Sequence, residues 1–313
     1  MGSITISAVG NRAPSFARSK LPLQVQVSAE DTVEDVKKKI AAKISGFYAA
    51  RQRLVLKSDT TKALADETKL KDVGLVDGGE LEVKDLGPQI GWRTVFVVEY
   101  MGPLLIHPIM FSFPQLFFGR PVVHSNLQKF SVAMVTLHFA KRVLESIFVH
   151  RFSHGTMPLS NIFKNSAHYH ILSGVFLACD LYRPGYSATS PYIKGTQKND
   201  ETYLWTFASV WALFELLNLS AHLTLRNLRP AGTKKRAIPY GIGFSLVSCP
   251  NYFFESMAWL TLSVMTGSYA AYFFTVVGTA QMLSWALKKH RNYKEEFGKE
   301  YPRNRKAMFP FII

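Results

Sequence analysis

The sequence predicts a chain in two parts: a small α+β domain over residues 1–86, then an all-α, multi-span transmembrane helical bundle over residues 87–313. Three observations carry this division. Only 19% of the 313 residues are charged while 48% are apolar, against about 25% charged in an ordinary soluble domain. The charge is unevenly shared, with 14 basic and 12 acidic side chains up to Leu86 but 23 basic and 10 acidic after it. Finally, long apolar runs begin at Trp92 and approach the roughly 20 residues that cross a bilayer. This pattern excludes a single soluble globule and a disordered chain. Cys179 and Cys249, both in apolar runs, are too few for a disulfide scaffold. A nucleic-acid partner is a second source for the net +15. The Lys and Arg residues, however, gather at the ends of apolar runs, as the positive-inside rule places them, so the expected partner is a lipid bilayer and not nucleic acid.

In the first part, residues 3–9 and 23–28 alternate in the strand manner, most clearly in Leu23-Gln-Val-Gln-Val. Thr32 followed by Asp35 reads as a helix N-cap with a capping-box acid. Val33, Val36, Ile40 and Ile44 then repeat at helical spacing until Gly46. Arg53-Leu-Val-Leu-Lys is a short strand, and residues 69–84 supply a turn and a closing strand. The order β–β–α–β–β, with Asp31-Thr-Val-Glu-Asp-Val-Lys-Lys-Lys-Ile and Gln52-Arg-Leu-Val-Leu, resembles ubiquitin, which implies a β-grasp domain. No free Gly-Gly ends it; Leu86-Gly87-Pro88 runs on into an apolar segment, so a conjugated modifier is not expected. Docking and stability are both open roles, because a fold does not specify function.

The second part offers apolar runs at residues 92–113, 127–149, 167–181, 202–225, 242–264 and 268–287. Pro103, Pro108 and Pro114 leave room for a further broken helix, giving about six to seven membrane helices. Met1–Pro14 lacks a basic start followed by an apolar stretch, so insertion through internal spans with a cytosolic head is expected. Loop charge agrees: Arg151, Lys164, Arg226, Arg229, Lys234, Lys235, Arg236 and the basic residues from Lys288 to Lys306 fall on the head's side. The opposite side carries chiefly Arg120, Arg183, Lys194 and Lys198.

Polar residues inside the runs are candidates for chemistry, because an ionisable group at bilayer depth costs about 2.5–3.5 kcal/mol on insertion scales. They are Glu99, then Lys141, Arg142 and Glu145, then Asn251, Tyr252 and Glu255. Helix–helix pairing is the plain alternative for each. The stretch Arg226-Asn-Leu-Arg229 to Arg236 suits phosphate binding as well as anchoring. His150 and His154 have HxxxH spacing, but no His-His pair exists to complete a di-iron set, so no metal is expected. Neither GxGxxG opening a Rossmann unit nor a P-loop occurs, and any nucleotide must be held by helices and loops.

Ser248-Cys-Pro-Asn251-Tyr252-Phe-Phe-Glu255 with Trp259, His290-Arg-Asn-Tyr293, and Tyr301-Pro-Arg-Asn-Arg-Lys-Ala-Met-Phe-Pro-Phe resemble the motifs of the steroid 5α-reductase superfamily. The whole chain is similar to its very-long-chain trans-2-enoyl-CoA reductase branch, which also joins a ubiquitin-like head to a membrane body. His150-Arg-Phe-Ser-His-Gly-Thr-Met-Pro-Leu and Arg226-Asn-Leu-Arg-Pro-Ala-Gly favour that branch over the steroid enzymes. The resemblance implies NADPH-dependent reduction of a very-long-chain trans-2-enoyl-CoA at the endoplasmic reticulum membrane, the last step of the fatty-acid elongation cycle. Other enzymes of that cycle are then candidate partners. For that chemistry Tyr252 is the expected source of the proton or of a hydrogen bond to the enolate, with Glu99 and Lys141 as intramembrane catalytic partners that orient the substrate or the proton path. The resemblance further implies Asn251, Glu255, Tyr293, Arg226, Arg229, Arg236, His150 and Arg151 as cofactor-facing residues. Two departures matter: Phe139 stands where the steroid enzymes have a substrate-binding Tyr, and Trp285 where they have a cofactor-binding Arg. A steroid or polyprenol reductase, a methyltransferase using S-adenosylmethionine and a non-catalytic membrane adaptor are the rival readings.

Overall fold

A computed structural model describes residues 2–75, 77–152, 155–228 and 237–313. It divides into two compact units, Met1–Trp92 with His154–Asn161, and Arg93–Ser153 with Ile162–Ile313.

In the first unit, β1 (Gly2–Ala8) pairs antiparallel with β2 (Leu23–Val27) and parallel with β5 (Glu80–Asp85). Strand β3 (Gln52–Leu56) lies antiparallel to β5, and β4 (Asp59–Ala63) closes the edge, giving the order β2-β1-β5-β3-β4. Strand alternation fixes this register: Ile4, Ile6, Val25, Leu54, Leu81 and Val83 all point into one buried core. Helix α1 (Val33–Lys43) covers that face with Val33, Val36 and Ile40. The Thr32–Asp35 capping box forms as expected, each side chain holding the other's backbone N–H. This is the ubiquitin-like head. After it, β6 (Gln89–Gly91) pairs antiparallel with β7 (Thr156–Pro158), which brings the Gly155-Thr-Met-Pro stretch into the same unit.

The second unit is helical. Helices α2 (Trp92–Ser112), with Pro103 and Pro108 inside it, and α3 (Pro114–Phe118) come first. Helix α4 (Asn126–Leu144) starts on a Ser125–Gln128 capping box and ends in a wider π-helical turn, Glu145–Val149. Helix α5 (Asn161–Ser166), the π-helical Ala167–Phe176 and α6 (Leu177–Tyr182) form one continuous helical segment. Helices α7 (Glu201–Asn227), α8 (Pro250–Thr266) and α9 (Tyr269–Phe297) complete the unit. Helix α7 packs along α8 and α8 along α9, with α4 against α7. Gly267, at φ +67°, makes the tight turn between α8 and α9.

Helices α2 and α7 and the segment Tyr269–Glu300 are long and apolar enough to cross a bilayer. Helix α8 has only 17 residues, and α4 carries Lys129, Lys141 and Arg142. Large apolar side chains nonetheless point outward from α2, α4, α7 and α9, among them Leu105, Ile109, Leu137, Leu213, Leu216, Phe273 and Val276. An outer surface of that kind suits lipid.

Two boundaries differ from the apolar runs. Helix α8 begins at Pro250 instead of residue 242, because Pro250 takes the first helical position, where no N–H is needed. Gly243 before it turns at φ +81°, and a Cβ there would meet the Pro250 ring at 2.6 Å. The segment before α8 pairs instead with the C-terminal tail: Ser248 N–H donates to the Lys306 carbonyl at 2.8 Å, and Lys306 N–H to that of Leu246 at 2.8 Å. Helix α9 in turn runs on to Phe297, so its basic end is helical.

In the head, Arg51 grips Asp85 with two hydrogen bonds, at 2.5 and 2.7 Å. Burial acts to raise the Asp85 pKa, but Arg51 and the Gly87 N–H outweigh it and hold the carboxyl below its ordinary 3.8. The stability this contributes is present above the unfolded value and is lost as pH falls through the folded one. The urea midpoint of the head, read by mass spectrometry of labelled head peptides in the full chain, should therefore fall on acidification below pH 3.8. Arg51→Gln should flatten that dependence.

Candidate active site

The polar residues of the second unit fall on helix faces. On α4 and its π turn, His138, Lys141, Arg142 and Glu145 recur at three- and four-residue steps. On α7 the same rhythm joins Glu215, Asn218 and His222, and on α8 it joins Asn251 to Glu255. These faces meet, and the residues on them are largely withdrawn from solvent.

His138 sits between two carboxylates, with Nδ1 at 2.8 Å from Glu215 and Nε2 at 3.3 Å from Glu255, so both ring nitrogens face acceptors. Lys141 Nζ lies 2.8 Å from the other Glu215 oxygen and donates to Asn218 Oδ1 at 2.6 Å. Glu145 accepts from Arg142 at 2.5 Å, with His222 at 3.1 Å and Lys141 at 3.5 Å. Arg142 also donates to the Tyr100 hydroxyl of α2 at 2.9 Å. Asn218 donates to the Asn251 carbonyl at 2.8 Å, and the Asn251 amide nitrogen is 3.5 Å from His222. Three carboxylates, two fixed cations and the imidazoles thus make one connected network across four helices. Trp259 and Phe139 close against the His138 ring at 4.8 and 4.9 Å between centroids.

A second polar cluster lies where α8, α9 and the tail meet. The Ser248 hydroxyl is 2.6 Å from both His290 Nδ1 and the Tyr301 hydroxyl. Tyr293 stacks on Tyr301 at 5.6 Å and 9°. Arg305, 2% exposed, lies between the rings of Tyr240 and Tyr301, with Nε and Nη1 making no hydrogen bond among the described residues.

The residues singled out in the sequence divide between these places. Lys141, Asn251, Glu255 and His150 belong to the first cluster, where the His150 ring lies 5.0 Å from that of His222. Tyr252, the neighbour of Asn251, turns the other way: its ring packs 6.2 Å from Trp285, and Lys289 Nζ is 4.9 Å from its centroid. Tyr293 belongs to the tail cluster. Glu99 is buried on α2, its Oε1 making no hydrogen bond among the described residues; the ion pairs of Lys141 there run to Glu215 and Glu145, none to Glu99. Arg226 is in the last turn of α7, Arg151 is exposed, and Arg229 and Arg236 lie outside the described residues.

His138, Glu215, Asn218, His222 and Tyr100 escape the sequence reading. Their signal was the three- and four-residue spacing of polar groups inside apolar runs. Among the described residues, Glu145, His150 and His222 form one set whose ligand atoms lie within 4.8 Å of one another. The Arg142 guanidinium, 2.5 Å from Glu145 and 3.4 Å from His222, already places a cation there.

A bundle that is apolar outside and ionic within, carried with a ubiquitin-like head, defines a membrane-associated helical protein with an enclosed polar site. A family described as 3-oxo-5-alpha-steroid 4-dehydrogenase matches residues 155–313, and the ubiquitin family matches residues 18–84. A Schizosaccharomyces pombe protein carrying the name enoyl reductase is 44% identical over 99% of this chain and 100% of its own length. A Dictyostelium discoideum very-long-chain enoyl-CoA reductase is 39% identical over 91% of this chain and 93% of its own. A Caenorhabditis elegans protein with that same activity in its name, art-1, is 39% identical over 92% and 93%. The chain belongs to the steroid 5α-reductase superfamily, in its very-long-chain enoyl-CoA reductase branch.

Removing one partner from a buried ion network leaves the other charge uncompensated, at about 3–5 kcal/mol, whereas replacing both by apolar groups costs far less. Glu215→Leu should therefore lower the thermal midpoint of the detergent-solubilised protein sharply. Adding Lys141→Met to it should recover part of the loss; a double variant as unstable as the sum of the singles would show that the two charges are not coupled.

Proposed function

We propose that this protein is an NADPH-dependent very-long-chain trans-2-enoyl-CoA reductase of the endoplasmic reticulum membrane, performing the last step of the elongation cycle. The observation that carries the reading is the enclosed ionic network of α4, α7 and α8 in a chain that aligns nearly end to end with relatives named for this reaction.

A membrane topology follows from the loop charges. With the head cytosolic, α2 leads out, α4 back, residues 161–182 out, α7 back, α8 out and α9 back, leaving both termini cytosolic. Glu99, His138 to Glu145, Glu215 to Arg226, Asn251 to Glu255 and Lys289 to Tyr293 then all lie on the cytosolic halves of their helices. An anionic CoA head arriving from the basic cytosolic side would meet them first. Its acyl chain, worth about 0.8 kcal/mol per buried methylene, would lie among the apolar faces of the spans.

The donor set suits a nicotinamide dinucleotide. Among the described residues Arg305 keeps two buried nitrogens without hydrogen-bond partners, and Arg226 lies in the last turn of α7, with Arg229 and Arg236 following it in sequence. Asn251, Glu255, Tyr293, His150 and Arg151 would hold the rest, and the bound cofactor supplies hydride to the substrate's β-carbon. The protein's own task is then the charge that develops on the thioester oxygen and the proton required at the α-carbon. Tyr252 gives that proton. Lys141, fixed by Glu215 and Asn218, and Glu99 orient the substrate and the proton path. Phe139, buried and without a hydroxyl, supports an acceptor other than a steroid enone.

Purified protein given NADPH and a very-long-chain trans-2-enoyl-CoA should consume absorbance at the reduced nicotinamide band and yield saturated acyl-CoA; no consumption rejects the reading. Tyr252→Phe should lower turnover by about 10²–10⁴-fold with NADPH binding, followed by nucleotide fluorescence, close to that of the parent. Unchanged turnover would remove Tyr252 as donor.

A further inference from the structure

We infer that Lys289 is the positioning residue for Tyr252, fixing its hydroxyl and balancing the charge left on its oxygen once the proton has gone. The inference rests on the reading of Tyr252 given above. Trp285 and Lys289 are one turn apart on α9 and present the same face to α8. Between them they hold the Tyr252 ring: Trp285 at 6.2 Å between centroids, and the Lys289 ammonium 4.9 Å from the ring centre. Around them are Cys249, Met282, Leu283, Ala286 and Met308, an apolar set.

Among the described residues no carboxylate pairs with Lys289. The network on the opposite side of α8 behaves otherwise, each of its cations facing at least one carboxylate. A cation lodged against a neutral phenol gains little in the resting protein. Its interaction strengthens only when that phenol becomes an anion, the condition under which an interaction speeds a reaction instead of merely tightening binding.

The step balances on the named groups. Hydride addition at the β-carbon moves the alkene electron pair onto the thioester, forming an enolate. The enolate α-carbon then takes the Tyr252 hydroxyl proton: the O–H bond breaks, the Cα–H bond forms and the thioester carbonyl is restored. The negative charge passes to the Tyr252 oxygen, facing the Lys289 ammonium, and water returns a proton once product has left.

The test compares Lys289→Met, Lys289→Gln, Lys289→Arg and Tyr252→Phe in the full chain, reconstituted in nanodiscs. Steady-state kinetics, NADPH fluorescence titration and turnover in D₂O are the readouts. Lys289→Met and Lys289→Gln should lower kcat about 10- to 100-fold, less than loss of the acid itself, with KM for both substrates and NADPH affinity within about twofold. The solvent isotope effect on kcat should rise, deuterium should enter the product α-carbon with reduced stereoselectivity, and Lys289→Arg should recover most of the rate. Combining Lys289→Met with Tyr252→Phe should be no slower than Tyr252→Phe alone. Weakened NADPH binding with kcat and deuteration unchanged would assign Lys289 to the cofactor and overturn the inference, leaving Tyr252 as donor if Tyr252→Phe is still inactive. A fully active Tyr252→Phe would reject the donor reading itself, and this inference with it.

Discussion

A charge enclosed by helices whose outer faces are apolar has only other side chains to answer it, and α4 brings two such charges into the interior. Lys141 and Arg142 are adjacent in sequence and cannot both face lipid at low cost. Everything around them follows from that constraint. Glu145, one turn on, takes Arg142; Glu215 of α7 takes Lys141 and its second oxygen reaches His138; Glu255 of α8 completes the clasp on the other side of the imidazole. Because the partners come from different helices, the pairing fixes how α4, α7 and α8 are rotated about their axes. A turn of α8 by one residue would move Asn251 and Glu255 away and bring Tyr252 inward.

That rotation gives α8 two functional faces. Asn251 and Glu255 join the buried network, while Tyr252 and Phe253 join α9 and the C-terminal tail. The tail is held to the segment before α8 by backbone hydrogen bonds and by Ser248, whose hydroxyl gathers His290 and Tyr301. Motifs distant in sequence, the Asn-containing stretch at 248–255 and the aromatic, basic stretch from His290 to Phe309, thereby become one structure.

How much of this was legible in the sequence differs by part. The head was open to reading because its signals are local: Leu23-Gln-Val-Gln-Val alternates, and Thr32 with Asp35 caps a helix whose apolar residues repeat at its own period. Strand β4 left no such mark, since Asp59–Ala63 is exposed throughout and is held by pairing with β3. In the bundle, apolar runs located the helices but not their ends. The turn before α8 is as apolar as the helix, and only Gly243 and Pro250 betray it. Lys141, Asn251 and Glu255 stood out as polar residues in greasy runs, while His138, Glu215, Asn218 and His222 were passed over. Their partners lie 29 to 117 residues away in sequence, and pairing at that range has no local signature.

The central claim is that the network of α4, α7 and α8 and the Tyr252 side of α8 serve one reaction centre. A cryo-EM structure of the full chain in nanodiscs, soaked with NADP⁺ and saturated very-long-chain acyl-CoA, tests it most directly. The account predicts the nicotinamide ring and the thioester carbonyl at the cytosolic end of α8, with the Tyr252 hydroxyl near the acyl α-carbon and the alkyl chain among the spans. Density for both ligands at a place that touches neither Asn251, Glu255 nor Tyr252 would contradict it.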